Sequence, residues 1–324
     1  MKPQESLYSA YLNQHDDAAW DQVLNNLMSA VHPVDRRALR IWFSFFPLRL
    51  HRALSAAPDP AKIERDLILQ GTWRLADQID SSAHFLYGHR YWPQVRAAVT
   101  ASTAASPASL ALDEQILEVA GKAAATCKAD KSLLVAITAV AFMTLQQVGP
   151  ELFARPAAPV SPKSNKTPKQ ILRDRSADAS QGMLGFLRSV DKRFTITFDE
   201  NDPAATFTAT NSQDLTMAAE TDKRPWHLKD NRCKEGEGPI PVECRTAACG
   251  TCWIGVLSDA SKVAAPTSRE IERVNKTFCY SGFTGTQDSP IRMACQTRVA
   301  GNVSLVIPPW NGLLWKLNKK EPGE

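Results

Sequence analysis

Cys244-Arg245-Thr246-Ala247-Ala248-Cys249-Gly250-Thr251-Cys252, answered much later by Cys295 in Arg292-Met293-Ala294-Cys295-Gln296, is the stretch on which the reading of this chain turns. Three thiols at Cys-x4-Cys-x2-Cys spacing followed by a distant fourth form a ligand pattern of a [2Fe–2S] cluster. A tight loop of this kind wraps an outer iron with two thiolates and begins on the inner one. The last ligand then arrives from a neighbouring strand. Backbone N–H groups of so short a loop also turn toward the sulfurs, spread the negative charge and help set the potential. Gly250 stands where a Cβ would crowd the centre and supplies dihedrals that other residues adopt poorly. Thr251 completes the loop, and Arg245 either faces solvent beside the centre or forms an ion pair within the domain.

Other uses of these cysteines fit less well. A structural zinc site usually brings two close pairs, whereas here the fourth thiol stands alone. Disulfides suit secreted, cysteine-dense chains, and this chain has seven cysteines in 324 residues. Met1-Lys-Pro-Gln-Glu5 has no apolar signal region, and the expected setting is a reducing, cytoplasmic one. Cys127, Cys233 and Cys279 fit no second site; Cys127 lies in an Ala-rich helical stretch and reads as a small core residue.

The surroundings strengthen the motif. Arg193-Phe-Thr-Ile-Thr-Phe-Asp199 alternates with period two, placing Phe194, Ile196 and Phe198 on one strand face. Asp199 to Pro203 supplies a turn, and Ala205 to Thr210 returns as hairpin partner. Trp253-Ile-Gly-Val-Leu257 reads as a further strand, and Thr267-Ser-Arg-Glu270 as a capping box opening a helix. Together with Pro239-Ile-Pro-Val-Glu-Cys-Arg245 and Gly301-Asn-Val-Ser-Leu-Val-Ile-Pro308, residues from about 193 to 312 resemble a plant-type ferredoxin domain. The resemblance implies a β-grasp fold, Cys244, Cys249, Cys252 and Cys295 as iron ligands, and one-electron transfer at about −400 mV by default for such centres. Three features depart from the family pattern: Ala247 where many relatives carry glycine, a long polar stretch from Thr221 to Gly238, and an insertion near Phe278 to Pro290.

The first 154 residues lack strand alternation and read as an all-α domain of about seven or eight helices. The fold class is thus an all-α domain followed by an α+β domain. Asp17 is positioned to cap a helix carrying Trp20, Val23, Leu24 and Leu27, and Asp35 the next one, through Phe46. A further helix is expected from about Trp73 through His84. Leu133 to Leu145 is the most apolar run; it is short for the roughly 20 residues that cross a bilayer and reads as a core helix. Residues 155–190 form a Pro/Lys-rich linker with a short helix from about Lys169 to Arg188, its basic residues Lys163, Lys166, Lys169, Arg173 and Arg175 read as solvated. Residues 313–324 form a basic amphipathic tail, suited either to peripheral contact with a membrane surface or to docking back onto the helical domain.

No nucleotide-binding glycine motif and no His-Glu-x-x-His is present, so a self-sufficient nicotinamide-dependent reductase is not expected. The net charge of +4 is small for this length and argues against nucleic acid as the main partner. The leading expectation is an electron-transfer protein whose helical domain docks a redox partner, a reductase or oxygenase, or mediates self-association. A second reading places haem in the helical domain on His84 or His89, with Trp42, Phe45, Phe85 and Tyr91 lining the pocket. Ordinary core packing explains the same aromatics, and the two histidines sit about 140° apart on a helix. A redox sensor, in which the cluster state alters domain packing, is the third.

Overall fold

The computed structural model describes residues 7–103, 110–160, 164–177 and 192–318. Helices dominate its N-terminal part, and the extended sheet lies in its C-terminal part. Two compact units result, one from Met1–Arg52 with Arg74–Pro162, the other from Ala53–Trp73 with Lys163–Glu324. The segment 53–73 therefore belongs with the C-terminal unit and not, as its position in sequence suggested, with the helices around it.

The helices of the first stretch are α1 (Leu7–Asn13), α2 (Asp17–Leu27), α3 (Pro33–Phe45), α4 (Leu48–Ala56), α5 (Pro60–Asp66), α6 (Trp92–Thr103), α7 (Leu112–Cys127) and α8 (Ser132–Phe153). Helix α8 is apolar all round, so it becomes the core element of the first unit, against which α1, α3, α6 and α7 pack. Thr138 and Thr144 are buried within it because their hydroxyls donate back to the Leu134 and Val140 carbonyls, each at 2.7 Å. Regular helix runs to Val148, and the span reaches Phe153 only across a kink at Gly149, whose φ of 79° is non-helical; by length and composition its 22 residues are enough to cross a bilayer. In the structure 78% of its most apolar window is buried inside the protein.

Two aspartates do other work than the sequence pattern suggested. Asp16, not Asp17, caps α2 by accepting from the Ala19 N–H at 2.9 Å. Asp17 instead receives the N–H groups of Leu48 and Arg49 at the start of α4. Helix α3 is capped by the His32 ring, and Asp35 turns inward, fully buried. Its carboxylate accepts from the N–H groups of Tyr87 (2.7 Å) and Gly88 (2.8 Å). The expected helix from Trp73 to His84 is only a 3-10 turn, Leu75–Gln78, followed by further turns, and the Asp35 bonds catch the chain just beyond it. Asp80 completes this arrangement by accepting from Trp92 Nε1, Arg96 Nη1 and the Ala158 N–H.

In the second unit, β2 (Arg193–Thr197) pairs antiparallel with β3 (Thr206–Thr210) as the alternation predicted, with Phe194 and Ile196 buried. Here β1 (Gln70–Gly71) comes from the early segment and pairs antiparallel with β7 (Trp310–Asn311). The main sheet has the order β3-β2-β6-β4-β5, where β4 is Trp253–Val256, β5 Ile291–Met293 and β6 Val303–Val306. Strands β2 and β6 run parallel, and β6, β4 and β5 are successively antiparallel. Helix α9 (Pro168–Ser176) opens with a Thr167–Gln170 capping box, and the remainder of the helix expected to Arg188 lies outside the described residues. Arg175 is not solvated: it is 7% exposed and bidentate to Glu200, both contacts at 2.7 Å. The described part of the tail, up to Asn318, packs within this unit, with Leu314 fully buried and Lys316 donating to the Asp66 carbonyl, next to the fully buried Trp310 of β7.

Helices α10 (Leu215–Ala219) and α11 (Ser268–Arg273) flank the sheet. Thr267 caps α11 by accepting from the Glu270 N–H at 3.1 Å, but Glu270 does not return the bond as a capping box requires. Its carboxylate is fully buried and takes Arg292 in a bidentate pair, 2.9 Å at each contact, together with the Met293 N–H at 2.7 Å.

Replacing Glu270 by Gln leaves Arg292 buried without a counter-charge. The free energy of urea unfolding of the full chain should fall by about 3–5 kcal/mol, and the E270M/R292M double variant should recover most of it. In the first unit, Asp35→Asn offers one acceptor where two N–H groups need one each. A loss of about 1–3 kcal/mol is expected, read from the corresponding unfolding transition.

Candidate functional site

The loop from Cys244 to Cys252 leads directly into β4. Arg245, Ala247 and Gly250 lie at φ of 54°, 54° and 78°. Alternating such residues with ordinary ones turns successive N–H groups to one side and creates a concavity that suits an anion. The Cys244 sulfur sits in it, receiving the N–H groups of Ala248 (3.1 Å), Cys249 (3.3 Å) and Thr246 (3.5 Å). Burial pushes the Cys244 thiol up, yet these donors and the neighbouring Cys249 thiol outweigh it and bring its pKa down to about 7. The thiol is thus prepared to become thiolate, the form that binds metals.

The four sulfurs meet as two pairs. Cys244 contacts Cys249 in the outer part of the loop, where both are partly exposed. Cys252 and Cys295 contact one another in the buried part. The second pair follows from strand register: Trp253 lies opposite Met293, and the Ala294 N–H donates to the Cys252 carbonyl at 2.8 Å. The shared hydrogen bond, reinforced by burial, drives the Cys252 thiol well up. It lowers Cys295 against the effect of burial, with help from the Gln296 amide and the Ala247 N–H. Around Cys249, burial raises the pKa, opposed by the hydroxyl and N–H of Thr251.

Gly250 is required by its neighbours as well as by its dihedral. A Cβ placed there would lie 2.8 Å from the Phe278 ring and 3.1 Å from the Tyr280 hydroxyl. Behind the loop, Tyr280 stacks on Trp253 with ring centres 4.0 Å apart and on Phe278 at 5.7 Å, and Trp310 meets both Trp253 and Tyr280 edge-on. Burial drives the Tyr280 phenol far above its ordinary range, so it keeps its proton and donates. Phe278 and Tyr280 had no signal beyond their position at the start of the expected insertion, and Trp253 only its place in a strand.

Arg245 forms an ion pair with Glu220 and remains 44% exposed. Arg269 of α11 reaches the Thr246 carbonyl at 2.5 Å and ties the outer loop to the helix. Of the remaining cysteines, Cys233 is buried and pushed up to about 12, first by burial, and Cys279 ends a π-turn with its sulfur near the Asn275 carbonyl. In the helical unit His84 is exposed, with Nδ1 against the Ser81 carbonyl. His89 is buried, with Nε2 on the Asp80 carbonyl at 2.7 Å and its ring stacked on Trp92. Trp42, Phe45 and Phe85 are packed core.

Among the described residues, no three His, Cys, Asp or Glu side chains gather as a single metal ion requires. What the loop offers is two dithiol pairs, one beside inward N–H groups. Cys244, Cys249, Cys252 and Cys295 are the residues that could hold a binuclear centre, since such a centre takes two thiolates at each metal. Comparison with protein-family models, with curated proteins and with solved structures yields no match.

Gly250→Ala should lower the unfolding free energy by about 2–4 kcal/mol, combining a left-handed dihedral with overpacking against Phe278. Alanine at exposed Gly236, also at positive φ but with open space around it, should cost only the dihedral part. Paired urea titrations measure the difference.

Proposed function

We propose that the C-terminal unit is a ferredoxin-type domain of β-grasp fold that binds a [2Fe–2S] cluster through Cys244, Cys249, Cys252 and Cys295 and transfers single electrons between redox proteins. The observation that carries this reading is the two-by-two arrangement of the thiols, with three N–H groups directed at Cys244. The sheet order supports it: a hairpin, β2-β3, joined through a parallel β2-β6 pair to antiparallel β4 and β5.

When bound, such a cluster accepts one electron and passes it on, within a potential range set by its surroundings. The chain contributes the rest. Cys244 and its N–H donors hold the more exposed pair, where a partner can approach for electron tunnelling. Cys252 and Cys295 are buried between β4 and β5, away from water. Arg269 and the Arg245–Glu220 pair fix the outer loop, limiting its rearrangement when the charge changes. The helical unit serves as a docking module for a redox partner, a reductase or oxygenase. The haem reading gains no support from His84 and His89, since one is exposed and the other is held by Asp80 and Trp92.

Full-length protein purified without oxygen, or reconstituted with iron and sulfide, should show the visible absorption of a [2Fe–2S] centre and a rhombic paramagnetic signal after dithionite reduction. Cys295→Ser should lose or alter both, and Cys233→Ser should keep them. A colourless protein after reconstitution, or one that takes up zinc alone, would overturn the reading.

A further inference from the structure

Tyr280 lies in the stretch between α11 and β5 that the sequence marks as an insertion, yet it is buried directly behind the cysteine loop. Its hydroxyl is 2.8 Å from the Gly250 carbonyl and 3.0 Å from the Gly312 carbonyl. One proton serves two acceptors, with the shorter contact to Gly250. The Gly250 carbonyl and the Thr251 N–H are opposite ends of one trans peptide group, so with the carbonyl turned to Tyr280 the N–H points the other way, into the loop between Cys249 and Cys252. A donor on the carbonyl end polarises the peptide and strengthens the N–H at the other end, as in any chain of hydrogen bonds.

We propose that Tyr280 is a positioning residue that acts through the Gly250–Thr251 peptide on the Cys249 sulfur and so raises the reduction potential of the centre. The inference rests on the cluster-binding reading above. Reduction adds negative charge that is shared with the ligand sulfurs, and stronger N–H donors favour the more negative state. Packing fixes the effect in place: the Tyr280 ring is clamped between Trp253 and Phe278, and Gly250 has no side chain to hold the phenol away from the carbonyl. The insertion is therefore a buttress for the centre as well as a surface feature.

Tyr280→Phe keeps the ring and removes only the hydroxyl. In the full-length, cluster-loaded protein the equilibrium for reduction should fall about twofold, a shift of about 18 mV at 59 mV per tenfold for a one-electron couple. Tyr280→3-fluorotyrosine, whose hydroxyl is the stronger donor, should shift the potential the opposite way. Potentials come from a spectroscopic redox titration, with thermal melting of the same samples as the structural control. Lower and higher potentials for the two variants support the proposal. Equal potentials in all three proteins overturn it, including when Tyr280→Phe melts earlier, because the hydroxyl would then serve folding alone. Should Tyr280→Phe fail to load, the fluorotyrosine protein decides by the same comparison. Wild-type protein that holds no cluster would sink the cluster reading first and this inference with it, an outcome distinct from a loaded protein with an unchanged potential.

Discussion

The geometry of the C-terminal unit depends on a charge pair that water never reaches. Glu270 and Arg292 are both fully buried, and neither would be tolerated there alone. The pair joins the first turn of α11 to β5, and the third bond from Glu270, to the Met293 N–H, fixes the strand two residues before Cys295. Arg292 also donates to the Ala264 carbonyl, so the connection between β4 and α11 is tied to the same point. The position of the fourth thiol is thereby set from outside the loop that carries the other three. Such a pair contributes little net stability over an apolar replacement, and its value here is geometric: it makes one register of β5 much better than its neighbours.

The cysteine loop itself is locally unfavourable. Arg245 and Ala247 occupy left-handed dihedrals that cost side-chain-bearing residues roughly 1–2 kcal/mol each. Surrounding contacts hold them: the Arg245–Glu220 pair, complete burial of the Ala247 methyl, and the Arg269 bond to Thr246. The return is a set of N–H groups that already point at sulfur, with no reorganisation needed when charge arrives. Ala247 fits that picture, because its methyl group is packed and not exposed.

Local pattern made the hairpin legible: Phe194 and Ile196 alternate with polar residues, and their burial follows. Spacing alone singled out the four thiols that the fold assembles in pairs. Choices between adjacent or distant partners were not legible. Asp16 and Asp17 are both competent caps, and only the position of α4 decides that Asp17 serves Leu48 and Arg49. Glu270 fits a capping box by sequence, but a buried arginine 22 residues later outcompetes a solvent-facing N–H group. The course after Trp73 was misread as helix because its determinants, the Asp35 carboxylate and the several bonds to Asp80, come from elsewhere in the chain.

The two-residue ribbon of Gln70–Gly71 with Trp310–Asn311 is small, but Gly71 has the Pro309 carbonyl 2.3 Å from where a Cβ would be, so the match is close. Leu313 donates to the Leu67 carbonyl, and Asn311 reaches Gln70. A piece of chain from early in the sequence thus finishes the wall behind Trp310. Neither unit is encoded by one uninterrupted stretch of gene. Shuffling at the proline-rich junction would therefore transplant an incomplete domain.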